Sequence, residues 1–413
     1  MHPGTLLGEE ELEKIIGGYF QAFGNLGGQR CTSDAAPEDS TPIFLLVATG
    51  GSERVILEWM AKRTESSPDE PLWLIAHPGN NSLPAALEVL ARLQQDGAHG
   101  RIFYLGEPDD ASGLREISDA AHDIDVRHAL QRARIGMVGA PSDWLVASSP
   151  DASIVRAAWG PTVVPVEMDE VATNLEKISD CDIEPLLEAF VSGATEVREP
   201  APADLLEVTR IYQALKDIVA DHQLDALTVR CFDFVQNRQT TGCFGLAQLT
   251  DEGIIAGCEG DLVSTVGLLW AHELLGVTPW MANPAQLDPA SNTLLLAHCT
   301  VPRALVASYG LRSHFESGLG VGIQGTLPTG PVTLLRIGGK KMEQVWLAEG
   351  EVLRSGNAEN LCRTQVEIRL TRGGTVTNLL RAPLGNHLVL VFGHHLERFQ
   401  SWCEGAANHI TTS

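Results

Sequence analysis

The segment "IIAGCEGD" (254–261) runs from apolar residues into two carboxylates, Glu259 and Asp261, two positions apart. In an extended strand that spacing turns both side chains to one side. Two like charges so placed repel, and a helix N-terminus, a cation or a bound metal ion must offset them. Other apolar runs also end in polar groups: Asp233 in "RCFDF", His298 in "AHCT" and His387 at the start of "HLVLVF". Carboxylates and imidazoles meeting at strand ends make a donor set for a hard divalent cation such as Mn2+ or Mg2+. Each residue also has a plainer use. Asp261 directly precedes the helical stretch "LVSTVGLLW" and is placed to cap it. Glu259 can answer the same helix dipole. His298 can be a hydrogen-bonded core histidine, and Asp233 can pair with Arg230 or Arg238. Coincidence at several strand ends favours the metal reading. If strand alternation holds, Cys258 and Cys299 point away from such a site.

A second group lies in "LRSHFESGLGVGIQG" (311–325), where His314 and Glu316 sit among glycines that let backbone approach a ligand. With Arg303 and Arg312 nearby, this reads as a substrate loop or as a solvated turn. Arg230, Arg238, Arg303 and Arg312 suit a carboxylate, phosphate or sulfonate, and equally an ordinary surface. In "AHPGNNS", His77, Asn80, Asn81 and Ser82 stand at a strand-to-helix junction, suited to recognition or capping. Histidines 394 and 395 read as loop or helix-end charges. The Gly320–Gly325 match to GxGxxG precedes a strand-like run rather than a helix, which argues against a dinucleotide site.

The elements that must position these groups alternate from residue 42. "PIFLLVATGGS", "PLWLIAHP" and "RIFYLGE" read as strands, separated by helices such as "NSLPAALEVLARLQQDG", with Ser82 as N-cap and Gly97 as stop. "RIGMVGAP", "PTVVPVEM", "ALTVRCFDF", "IIAGCEGD" and "NTLLLAHCT" continue the strands, with helices about 112–133 and 203–222. Continuous Val/Ile/Leu strands between helices imply parallel sheets covered on both faces. After residue 300, short β-like runs and turn residues imply antiparallel structure. The expected fold is two parallel-sheet α/β domains, 1–160 and 161–300, the second carrying the carboxylates, plus a β-rich C-terminal domain, 301–413.

The 413 residues carry 53 acidic against 29 basic side chains, a formal net charge of −24, which argues against broad nucleic-acid binding. Eight cysteines include no CxxC pair, so a zinc ribbon or thioredoxin-type site is not expected. The start, "MHPGTLLGEEELEKIIGGYF", lacks the basic-then-apolar order of a signal peptide. No apolar run reaches the ~18 residues of a membrane span. These features suit a cytoplasmic protein with no membrane partner.

In their order along the chain, "ATGGSE", "HPGNNSLPAALEVL", "RIGMVGAPSDWLVAS", "GCEGDLVSTVGLLWAHELLGVTPW", "LLLAHCT" and "LGNHLVLVFGHH" resemble the L-fucose isomerase and L-arabinose isomerase superfamily, especially its shorter fucose isomerase-like members. The resemblance covers most of the chain. It implies three domains, Mn2+ or a similar ion (Mg2+, Co2+), aldose–ketose interconversion through a cis-enediol, and a homo-oligomer with active sites near subunit interfaces. It implies Asp261 and His387 as metal ligands, with His298 as a third. The family's earlier Glu, ligand and base, falls about two dozen residues before the Asp. Here that neighbourhood, "NRQTTGCFG", holds no acid, which leaves Glu259 or Asp233 as the base. The sugar expected is a hexose or deoxyhexose, with an anionic, sulfonated one suggested by the arginines. Arg303, His314, Glu316 and Asn81 are the expected sugar contacts. The alternatives are a non-catalytic sugar-binding or regulatory protein of this fold, and a lyase using the same enolate chemistry.

Overall fold

The computed structural model describes residues 9–31, 41–66, 70–406 and 410–412. Residues 1–8 of the acidic opening stretch lie outside them. Two compact units result: Met1–His128 with Glu404–Asn408, and Ala129–Cys403 with His409–Ser413.

In the first unit, β1 (Phe44–Leu46), β2 (Leu72–Ala76) and β3 (Gly100–Tyr104) form a parallel sheet in that order. Every residue of β2 is buried, because helices cover both faces. Trp73 and Ile75 pack with Tyr19 of helix Glu9–Asn25 and with Ile117, Ala120 and Ile124 of helix Ala111–Arg132. The alternate residues, Leu72, Leu74 and Ala76, pack with Met60 of helix Glu53–Ser66 and with Ala85, Ala86 and Val89 of helix Ser82–Gln95. Ser82 is not the cap of that last helix but its first residue. Its hydroxyl turns inward, donating to the Val47 carbonyl and accepting from the His77 N–H. Asn81 takes the cap position in a left-handed conformation, φ 56°.

The second unit begins with β4 (Arg134–Val138), β5 (Thr162–Val166), β6 (Ala226–Val229) and β7 (Ile255–Gly257). They form a parallel sheet in the order β5-β4-β6-β7. Then come β8 (Trp280–Asp288), β9 (Thr293–His298), an antiparallel ribbon of β10 (Ser308–Arg312) and β11 (Gly322–Thr326), β12 (Gly330–Gly338), β13 (Gln344–Ser355), β14 (Thr364–Gly373), β15 (Leu388–Phe392) and β16 (Thr411–Thr412). Strands β12-β15-β8-β9-β14-β13 pair antiparallel and close, through β12–β13, into a six-stranded barrel. Closure removes the exposed edges of an open sheet. β16 adds a parallel pairing to β13.

The chain thus divides at other places than 160 and 300. Strand β4 belongs to the second sheet, while β9, expected in a parallel sheet, belongs to the barrel with β8, a strand not expected from the sequence. The strand–helix alternation earlier in the chain hides this: β8 and β9 follow each other through a short turn, which only antiparallel strands can do. The Gly320–Gly325 run leads into β11, with no helix following.

Helix Leu262–Leu275 joins the two halves of this unit. It is apolar all round, because it packs on β6 and β7 of the parallel sheet on one side and on β12 and β15 of the barrel on the other. Its outer end is wrapped in aromatic rings: Trp270 lies 5.0 Å from Trp159, 5.2 Å from Trp402 and 4.7 Å from Phe399 between centroids. Its N-terminus, capped by Asp261, is where the two sheets present their polar residues. Among the described residues no helix is long and apolar enough to cross a membrane.

Candidate active site

A cavity of about 430 Å3 opens where β6 and β7 end, the position at which parallel α/β sheets place ligands. Cys231, Phe232, Cys258 and Glu259 come from these strand ends. Asn283, Ala285, Ala297, His298 and Cys299 come from β8, β9 and the residue after β9. Cys243, His314, Phe315, Glu316, Leu361, Cys362, Asn386 and Trp144 complete the wall.

Glu259, His298 and His387 each bring one ligand atom to within 4.8 Å of the others. Their elements explain why. β7 stops at Gly257, and the chain then turns through two left-handed residues, Glu259 (φ 63°) and Gly260 (φ 71°). A side chain at Gly260 would also meet the Ala140 carbonyl at 2.6 Å, so glycine is required there. This turn breaks strand alternation. Glu259 swings into the cavity while Asp261 swings back under the following helix, so the two carboxylates part rather than repel. The same turn brings Cys258 to the cavity wall instead of away from it. Cys299 joins it there because it lies just past the end of β9.

Asp261 is fully buried and its carboxylate accepts from four donors. Its Oδ1 accepts from the Ser264 N–H at 2.8 Å, the helix cap. Its Oδ2 accepts from the Ser264 hydroxyl and from His387 Nδ1, both at 2.8 Å, and from Arg336 Nη1 at 3.3 Å. Asp261, expected as a ligand, therefore stands behind His387 rather than beside it. Burial pushes its carboxyl up, but Arg336, His387 and the Ser264 N–H outweigh that and hold it well below the usual range. Arg336 is itself buried, and also donates to the Ser148 and Ser264 hydroxyls and the Leu384 carbonyl. Any side chain at Gly385, which has φ 152°, would collide with its guanidinium.

With Nδ1 committed to Asp261, His387 turns Nε2 to the cluster. That nitrogen is buried and makes no hydrogen bond; Glu259 Oε1 faces it from 3.6 Å. His298 engages the Thr300 hydroxyl through Nδ1 at 2.8 Å, which leaves its Nε2, and its ring meets His387 edge-on at 5.5 Å. Burial works against charge on His387, yet Asp261 and Glu259 raise it to about 9. Burial, then the neighbouring His387, lowers His298 to about 4. Burial pushes Glu259 up, but His387, His298 and Trp144 outweigh it and keep the acid ionised. A buried ring nitrogen without a hydrogen bond, a second imidazole and an ionised carboxylate, backed by an outer carboxylate, fit a divalent metal ion.

The other expected residues divide. His314 and Glu316 line the cavity. Asp233 does not; it sits in the first turn of helix Phe232–Arg238, because β6 ends earlier than the apolar run suggests, and it pairs with Arg230 at 3.1 Å. Arg303 does not either: Asp251 and Gln248 hold it. The remaining arginines are likewise engaged, Arg230 by Asp143 and Asp233, Arg238 by Glu207, and Arg312 by Glu199 and Glu359. Asn81 belongs to the first compact unit, whereas the cavity lining comes from the second. The sequence pattern did not single out Trp144, Asn283, Asn386 or the thiols of Cys231, Cys243 and Cys362, and it turned Cys258 and Cys299 away from the site whose wall they join. Trp144 was findable: it follows β4, so the strand-end rule that singled out Glu259 applies to it as well.

No known family model matches the chain. It is similar to curated proteins named sulfoquinovose isomerase. The protein of Priestia megaterium is 23% identical over 309 residues, 71% of this chain and 68% of that protein. That of Alkalicoccus urumqiensis is 21% identical over 250 residues, 59% and 56% respectively. That of Clostridium sp. is 23% identical over 253 residues, 61% and 55%. The chain thus spans little more than half the length of two of these relatives.

Proposed function

We propose that this protein is a metal-dependent aldose–ketose isomerase acting on a hexose or deoxyhexose. The observation that carries the reading is the convergence of Glu259, His298 and His387, with the buried Nε2 of His387, which makes no hydrogen bond, aimed into the cluster. The names of the similar proteins support it and favour a sulfonated hexose as substrate.

Glu259, His298 and His387 hold the ion, Mn2+ in our reading with Mg2+ or Co2+ as substitutes. Such an ion supplies Lewis acidity toward the carbonyl and hydroxyl oxygens of a sugar. The chain's residues do the rest. Asp261 accepts the Nδ1 proton of His387 and so fixes the tautomer whose Nε2 is a ligand. Thr300 holds the His298 ring through Nδ1 and, with its hydroxyl as acceptor, leaves Nε2 as the ligand atom. Glu259, ionised at neutral pH, takes the C2 proton and returns it to C1, while a hydroxyl proton passes from O2 to O1, so that the sugar crosses as a cis-enediol. Asp233 is withdrawn as base, because its carboxylate is engaged outside the cavity. We read Glu259 as the early acid of the family resemblance. Asn283, about two dozen residues on and in the cavity wall, then stands in the place of that family's Asp. His314, Glu316 and Asn386 face the sugar hydroxyls. A homo-oligomeric assembly belongs to the same proposal, and sedimentation equilibrium checks it.

The test is incubation with Mn2+ and a panel of neutral and sulfonated aldohexoses in D2O, followed by NMR. Ketose formation with loss of the C2 proton signal, abolished by EDTA, is expected. Binding without C2 exchange, insensitive to EDTA, would replace the enzyme by a sugar-binding protein of the same fold.

A further inference from the structure

We propose that Trp144, on the loop after β4, is the positioning residue for the Glu259 carboxylate and the aromatic wall against which the sugar packs. The inference rests on the isomerase reading only for its second half.

Trp144 is a large aromatic left 50% exposed at the cavity mouth. Its one polar atom has a partner within the protein. The indole N–H donates to Glu259 Oε2 at 2.6 Å. Glu259 Oε1 is the oxygen that faces His387 Nε2. The indole therefore occupies one carboxylate oxygen and leaves the other for the cluster. Among the described residues the indole N–H is the one hydrogen bond on this carboxylate, whose other oxygen has only the facing His387 Nε2 at 3.6 Å.

The loop is built to keep the ring in place. The Ser142 N–H donates to the Glu259 carbonyl at 2.9 Å, so loop and turn are tied through backbone as well as side chain. Arg230 grips the loop twice, donating to the Pro141 carbonyl and pairing with Asp143 at 3.2 Å. Phe232 meets the indole edge-to-face, centroids 4.9 Å apart at 82°. With Phe232 packed on it and its N–H on Glu259, the indole borders the cavity. An aromatic body with its polar tip satisfied is suited to the C–H face of a sugar ring.

Two variants separate the two roles. Trp144→Phe keeps a ring and loses the N–H; Trp144→Ala loses both. Manganese affinity is read on apo-protein by electron paramagnetic resonance of free Mn2+, with no catalysis involved. A hydrogen bond to a charged group is worth about tenfold or more in an equilibrium. Trp144→Phe is expected to weaken Mn2+ binding and to lower kcat by about tenfold each, with KM within about twofold. Trp144→Ala is expected to show the same metal defect and to raise KM by about a further tenfold. A merely structural residue would leave apo metal affinity and the kcat-against-KM split unchanged once folding is confirmed by circular dichroism. Wild-type Mn2+ affinity in folded Trp144→Phe overturns the positioning role, and equal KM for the two variants overturns the wall. Should the unaltered protein isomerise no sugar, the isomerase reading fails while the metal titration still decides the Glu259 contact.

Discussion

Asp261→Asn tests the arrangement behind His387 most directly. The side chain keeps its size, but one of two acceptors becomes a donor. Every neighbour of this fully buried carboxylate offers a proton: the Ser264 N–H on Oδ1, and His387 Nδ1, Arg336 and the Ser264 hydroxyl on Oδ2. Whichever way the amide turns, an NH2 group meets a donor. Placed on the Oδ2 side, it deprives His387 of its Nδ1 acceptor and lets the imidazole proton move to Nε2, the atom that must be bare to bind metal. Loss of such an outer partner weakens metal binding by about 10- to 100-fold. Removing the counter-charge of buried Arg336 costs about 3 kcal/mol, the low end for a broken buried pair, because Ser148, Ser264 and Leu384 still accept from it. Thermal unfolding of apo-protein and Mn2+ titration by paramagnetic resonance read the two effects separately. Unchanged Mn2+ affinity in a folded Asp261→Asn protein would refute the orienting role. A loss as large as that of His387→Gln would return Asp261 to the ligand set.

Further outcomes follow from the same geometry. Glu259→Gln should abolish C2 proton exchange, whereas Asp233→Asn should change it less than about threefold and cost about 0.5–1 kcal/mol of stability, since its pair with Arg230 is partly exposed; kinetics and denaturant unfolding check both. Metal uptake should release a proton at neutral pH, because His387, raised to about 9, is charged in the apo-protein and the ion needs it neutral. Apparent Mn2+ affinity should thus climb by about tenfold per pH unit and level off above about pH 9, as titrations at several pH values would show. Saturating Mn2+ at about 100 times its Kd should stabilise the protein by about 2.7 kcal/mol, and EDTA should remove that gain in a thermal scan. Bound sugar should shield the cavity thiols, with Cys231, Cys258 and Cys299 slower to react with a small thiol reagent than in the free protein.

Much was legible before any coordinates. Continuous apolar strands between periodic helices announced parallel sheets, and the Gly- and Thr-rich stretch after residue 300 announced antiparallel strands. Glu259, His298 and His387 were singled out because polar groups at the ends of buried strands need a reason to be there. What misled was local. Asp233 looked like the tip of a strand because an apolar run does not say where its hydrogen bonds stop. Arg303 and the other arginines looked like anion binders because a sequence does not show which carboxylate reaches each one first.

The sequence by itself determined which residues are apolar enough to build the two sheet systems and which polar groups stand at their ends, since burial periodicity is written residue by residue. Only the tertiary structure decided that Glu259 faces the cavity while Asp261 caps a helix. That outcome turns on two left-handed residues and on Arg336 and His387, 75 and 126 positions further along the chain. A pattern of spacing carries the direction of a side chain only while the backbone repeats. Where the chain turns, distant partners choose.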